Sequence, residues 1–152
     1  MFVFPGDPIP TNKMILFVYH REAERWIEST LLNHLRKMRA ALQINLLHQL
    51  FSGGKTREEL AVENLKKCNH VVVVLSGKFD TCGLSSYALT YAVKSFRKKL
   101  VLLKAETCDE PDIVAPYQIL TLESPNFWKK LVRALDEDVD QVTGMLTFSD
   151  TL

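Results

Sequence analysis

What this sequence lacks excludes several readings at once. No apolar stretch approaches the ~18 residues of a membrane-spanning helix, so the chain as given is not expected to cross a bilayer. Its opening, M-F-V-F-P-G-D-P-I-P, is broken by Pro5, Gly6, Pro8 and Pro10 before it reaches the length of a signal sequence. An excess of one charge is missing too: 19 Lys and Arg against 18 Asp and Glu leave a formal net charge of +1. That balance carries no electrostatic footprint for nucleic acid, and none is expected as a partner. Cys68, Cys82 and Cys108 are odd in number and form no C-x-x-C spacing, which argues against both a disulfide framework and a zinc site. A reducing, cytoplasmic setting is the expectation on these grounds.

The chain does have enough apolar material for one domain, with 152 residues and 47% hydrophobic composition. Its organising stretch is Leu46 to Ser76. An apolar segment there runs through a Ser-Gly-Gly-Lys loop into an amphipathic helix and then into Val71-Val72-Val73-Val74, a run that needs cover on both faces. Before it, the prolines mark residues 1–13 as an arm; M-I-L-F-V-Y from Met14 reads as a first strand. Ala23, Trp26, Ile27, Thr30, Leu31, Leu35 and Met38 keep helical spacing, with Arg36, Lys37 and Arg39 at the end that the helix dipole favours for cations. L-Q-I-N-L within Ala41 to Leu47 alternates as a half-exposed edge strand would. Thr56 and Glu59 form a capping box for a helix to about Cys68.

The pattern continues after the valines. Leu84, Tyr87, Ala88, Tyr91, Ala92 and Phe96 predict a third helix over Asp80 to Phe96. K-L-V-L-L-K is a fourth strand and Y-Q-I-L-T-L a fifth. Ser124-Pro125 opens a last helix, with Pro in the first turn. The whole reads as an α/β, flavodoxin-like, open doubly wound sheet of about five mostly parallel strands with helices on both faces. The domain spans 14–137, and 138–152 is an acidic, loosely ordered tail.

Ligands of such sheets gather at the carboxyl ends of the strands. Those ends carry Tyr19-His20, His48-Gln49, Ser76-Gly77 and Lys104-Ala105, with no aspartate to accept phosphate as a receiver domain requires. The first strand is followed by H-R-E-A-E-R in place of a glycine fingerprint, and Gly53-Gly54-Lys55-Thr56 lacks the earlier glycine of a phosphate loop. His20 and His48 could meet for acid-base work, but no carboxylate pair or nucleophile accompanies them, so the reading as loop histidines is preferred. The cysteines read as packing residues. Lys94 to Lys99 could touch anionic lipid or a protein, with a solvated helix end the preferred reading.

Several of these segments together resemble the TIR domain family of Toll-like and interleukin-1 receptors, their adaptors and related NAD-cleaving enzymes. The resemblance covers roughly Met14 to Asp136. It rests on M-I-L-F-V-Y-H with Trp26, on His48 followed by Leu50-Phe51-Ser52-Gly53-Gly54-Lys55 as a BB loop, on Leu75, Ser76 and Phe79 in L-S-x-x-F, and on Phe127-Trp128. The aromatic-Asp pair before the first strand is missing, and so is the loop's acidic residue; Gly53 stands where many receptors carry proline. NAD-cleaving members carry W-x-x-x-E on the third helix with a catalytic glutamate, whereas Leu84 and Ala88 take those positions here. No acidic residue occurs from Thr81 to Lys99.

The resemblance thus implies a cytosolic signalling module of receptor or adaptor type, without catalytic residues, metal or cofactor. It would associate with other TIR domains through Leu50, Phe51, Ser52, Gly53, Gly54 and Lys55 and through Ser85, Tyr87 and Tyr91 on the third helix. Leu50 and Phe51 would form an exposed apolar knob, or else fold back onto the domain's own core. The alternative is a TIR-type NAD hydrolase.

Overall fold

A strand of four consecutive valines has no face to offer water, and the architecture answers that requirement. In the computed structural model, which describes residues 13–38, 42–77, 83–106, 108 and 110–136, five strands form one sheet. They are β1 (Met14–Tyr19), β2 (Gln43–Leu46), β3 (His70–Leu75), β4 (Leu100–Lys104) and β5 (Ile119–Thr121), in the order β2-β1-β3-β4-β5. Every pair is parallel, with Phe17 beside Val72 and Val72 beside Val101. β3 occupies the centre, and all of its residues are buried. β2, with its alternating pattern, is the half-exposed edge strand expected of it.

Helices cover both faces. α1 (Glu24–Trp26), a π turn (Ile27–Leu31) and α2 (Leu32–Met38) continue from β1 without a break, after a 3-10 turn at Arg21–Ala23. The π turn explains one residue that simple periodicity misses. Leu32 lies off the predicted apolar face yet is buried beside Leu31 and Leu35, because the wider turn resets the helical phase of α2. α3 (Arg57–Lys67) starts at Thr56, whose side chain accepts from Glu59 N while Glu59 reaches back to Thr56 N. Leu60, Ala61 and Leu65 face the core, as does Cys68 just beyond the helix. Burial pushes the Cys68 thiol up to about 11, which leaves it a packing residue and a poor nucleophile.

α4 (Gly83–Ser95) is the helix predicted over Asp80 to Phe96, of which 80–82 lie outside the described residues. Its buried face is Ser85, Ala88, Leu89 and Ala92, rotated from the expected one: Tyr87 is exposed, and Leu84, Tyr91 and Phe96 are half-buried. Small side chains at 85, 88 and 92 let the helix approach the sheet, and the rings are displaced to its flank. Phe79 of L-S-x-x-F, Arg39, Cys82, residues 1–12 and the tail 138–152 also lie outside the described residues.

β5 is shorter than Y-Q-I-L-T-L predicts, and Pro125 stands before α5 (Phe127–Asp136) and not inside it. Asn126, immediately ahead of α5, takes φ 61, a left-handed conformation that asparagine tolerates better than most residues. Phe127 is buried, and Trp128 stacks on His34 of α2 at 4.2 Å between centroids, which joins α5 to the helix beyond β1.

Two substitutions probe this packing. Val73→Asp places an unpaired charge in the middle strand and is expected to unfold the domain, as circular dichroism would register. Phe127→Ala should cost ~3–5 kcal/mol in denaturant unfolding, more than the same change at half-buried Trp128.

Candidate interaction surface

The loop after β2 is built in two parts, a fixed stem and a free tip. In the stem, a 3-10 turn at Leu47–Gln49 sets His48 beside the end of β1. His48 Nε2 lies 2.9 Å from the Tyr19 carbonyl oxygen and 3.2 Å from Ser85 Oγ. A carbonyl can only accept, so Nε2 carries the ring proton and donates to it. Ser85 Oγ donates to the same oxygen from α4. One backbone carbonyl therefore gathers the loop, the first strand and the helix that packs on it.

Glu24 fixes the neighbouring residues. Its carboxylate accepts from the Tyr19 hydroxyl at 2.8 Å and from Gln49 Nε2 at 2.9 Å, and the Tyr19 and His48 rings meet edge to face at 5.0 Å. Burial raises the Tyr19 pKa well above its ordinary value, with the Glu24 hydrogen bond and charge adding to it. Burial likewise lowers that of His48, partly opposed by the bond to Tyr19. His20 has a local role, its Nδ1 accepting from Glu22 N at 3.1 Å to cap the adjoining turn. Each histidine thus bonds to backbone, His48 at the end of β1 and His20 in the turn that follows it.

The tip is different. Phe51 is 90% exposed, and Ser52, Gly53, Gly54 and Lys55 are exposed with it. Gly54 has φ +79, a conformation that glycine takes without strain. Leu50 departs from the expected knob: it is half-buried and packs against the core, so only Phe51 stands out. Lys55 reaches back to Glu63 at 2.7 Å, and this hydrogen bond, with the lysine's charge added, holds that carboxyl below the usual carboxylate value. The pair is solvent-exposed and contributes little to stability.

Between tip and helices lies a cleft of about 420 Å³, lined by Arg21, His48, Leu50, Arg57, Leu60 and Leu84 among others. It brings the loop to the start of α4. Ser85, expected on the association surface, is completely buried, because its hydroxyl serves the Tyr19 carbonyl. Tyr87 and Tyr91 lie further along α4, their rings 6.3 Å apart, with Phe96 a further 6.0 Å on. Tyr87 is 41% exposed, so this aromatic row is available at its upper end. Sequence reasoning missed the network at Tyr19, since a carbonyl leaves no trace in residue identity, and it missed Leu84 and Arg21 as cleft residues.

A second cleft, of about 580 Å³, opens at the carboxyl ends of β1, β3 and β4, between Trp26, Glu22, Gly77 and Glu106. Gly77 N donates to Glu106 Oε1 there at 3.0 Å. Among the described residues no three His, Cys, Asp or Glu side chains converge as metal ligands would. Ala88, at the position that the resemblance gives to a catalytic glutamate, faces the core.

No sequence-family model matches the chain, and no curated protein matches it by sequence. Solved structures do. The TIR domain of the Toll-related receptor TRR-2 from Hydra magnipapillata superposes with a TM-score of 0.71 at 19% identity, over 81% of this chain and 98% of that one. A prokaryotic SEFIR domain superposes with a TM-score of 0.62 at 16% identity, over 83% and 94%.

The stem makes a pH dependence. His48 is held neutral in the fold, so below its ordinary value near 6.5 the unfolded chain takes up a proton that the folded chain refuses. Stability is therefore full above that value and falls as the pH drops below it, until His48 protonates in the fold. His48→Gln, which keeps a side-chain donor but cannot titrate, should flatten this slope in urea melts between about pH 7.5 and 5. Together, the strand order, the all-parallel pairing and these superpositions establish that the chain has the TIR-type fold, the flavodoxin-like α/β architecture it shares with TIR and SEFIR domains.

Proposed function

We propose that this chain is a signalling interaction module, of innate-immune receptor or adaptor type, that associates with TIR-type domains, its own copies or those of a receptor or adaptor. The association runs through the loop tip, Phe51 to Lys55, and the exposed edge of α4 at Tyr87 and Tyr91. One observation carries the reading: Phe51 is 90% exposed on a loop whose stem is tied to the end of β1. A large ring left in water at the end of a fixed support gains ~1.5–3 kcal/mol when a partner covers it. Because the stem is held, only the ordering of the short tip opposes that gain.

The module acts without catalysis in this reading. The resemblance to NAD-cleaving TIR enzymes would ask for a glutamate at position 88, where alanine faces the core. No carboxylate occurs elsewhere on α4 to stabilise charge developing at the ribose. A cytosolic setting goes with the proposal. Among the described residues, no helix is long and apolar enough to cross a membrane.

Phe51→Ala is expected to change unfolding free energy by less than about 0.5 kcal/mol while weakening self-association or capture by a TIR partner. Gly54→Pro, which cannot take φ +79, should act in the same direction. Intact association by both folded variants would move the surface to α4 around Tyr87 and Tyr91. Incubation of the purified chain with NAD tests the other half of the proposal; release of nicotinamide above a heat-denatured control would refute it.

A further inference from the structure

The near-neutral net charge conceals a separation along the strand axis. All strands run the same way, so α2, α3 and α4 return against them and end at the edge where the strands begin. Arg36 and Lys37 close α2, Lys66 and Lys67 close α3, and Lys94 and Arg97 lie at and just after the end of α4; all six are exposed. No acidic residue occurs in positions 30–43, 64–70 or 83–105. α5 also ends at this edge, where the Leu135 carbonyl accepts from Lys13 Nζ just ahead of β1, and its last residue, Asp136, brings one acid among these cations. Glu63, the carboxylate nearest to this edge along α3, is paired with Lys55. Glu22, Glu24, Glu58 and Glu59 sit instead in the opening turns of their helices, at the other end of the domain.

A helix dipole favours a cation at each of these ends, but one per helix would satisfy it. Lys99 does such work: its Nζ donates to the carbonyls of Leu65 and Lys66, both at 3.1 Å, and lies 4.8 Å from the Phe96 ring. That contact joins the end of α3 to the turn after α4 in one surface. The remaining cations are surplus to capping and stay in water.

We propose that this basic end, remote from the loop tip, is a docking face for an anionic lipid bilayer. Its cations come from helices on both faces of the sheet, since α2 packs with α5 through His34 and Trp128 while α3 and α4 share the opposite face. They spread across the whole thickness of the domain as a plane of charge, which matches a flat leaflet better than the ridge of a nucleic acid duplex. Each exposed Lys or Arg near an anionic leaflet strengthens binding about five-fold, and clusters of four to eight are the number that such surfaces hold. Docked this way, the domain would point Phe51 and its loop away from the membrane.

The test is sedimentation of the 152-residue chain with phosphatidylcholine vesicles, with and without phosphatidylserine, at low and high salt. Partition only into the phosphatidylserine vesicles, abolished by high salt, is expected. Lys66→Glu with Lys67→Glu should weaken it at least ~25-fold, whereas Arg25→Glu, exposed in α1 at the other end of the domain, should not. If the double reversal fails to fold, Lys94→Gln with Arg97→Gln decides, with an expected loss of about 25-fold. Equal partition into pure phosphatidylcholine, no partition at low salt, or full binding by the folded neutralised variant would overturn the proposal. Tighter capture by a random-sequence DNA duplex than by the vesicles would reassign the face to nucleic acid.

Discussion

The requirement that Val71 to Val74 be dry on both faces organises this molecule. A strand buried on both faces must lie inside a sheet that carries helices above and below, and a parallel sheet needs each connection to run back the full length of a strand. Helices therefore begin at one end of the domain and finish at the other. Loops and opening turns, with their acidic residues, collect at the carboxyl end of the strands; the closing turns of α2, α3 and α4, with their lysines and arginines, collect at the amino end, where α5 adds Asp136. The polarity of the surface is a consequence of the core.

Within the loop end, the Tyr19 carbonyl is where rigidity stops. It is the last oxygen of β1 and accepts from His48 and Ser85, which come from two separate elements. Up to that point the chain is fixed by the sheet and its cover. Beyond Leu50 it is fixed only by the Lys55–Glu63 pair and the Thr56 cap at the start of α3. The exposed Phe51 lies between these anchors. A stem held by buried hydrogen bonds and a tip left in water is the division of labour expected where binding residues ride on a rigid scaffold.

Much of the fold was legible because its signals are local. The valine run, the alternation of β2 and the Thr56–Glu59 box each declare themselves within a few residues, and the structure has all of them. The π turn was not legible, since nothing in Ile27 to Leu31 announces a wider turn, and Leu32 was misplaced as a result. The face of α4 was misread because aromatic residues outweigh Ser85 and Ala88 in any count of apolar spacing. Packing against the sheet favours the small ones. At the candidate site, the loop was legible through its glycines and His48, but Ser85 was taken for a surface serine because its partner is a backbone carbonyl far away in sequence. Net charge, being a sum, hid where the charges lie.

The central claim, a fixed stem with a free tip that a partner covers, is tested most directly by amide hydrogen exchange on the isolated chain and on its associated form. In isolation, amides of Val71 to Leu75 should exchange only through global unfolding, while those of Phe51 to Lys55 exchange freely. Association should then protect 51–55 and leave the β3 amides unchanged. Tip amides already protected in the isolated monomer, or unprotected after association, would contradict the account.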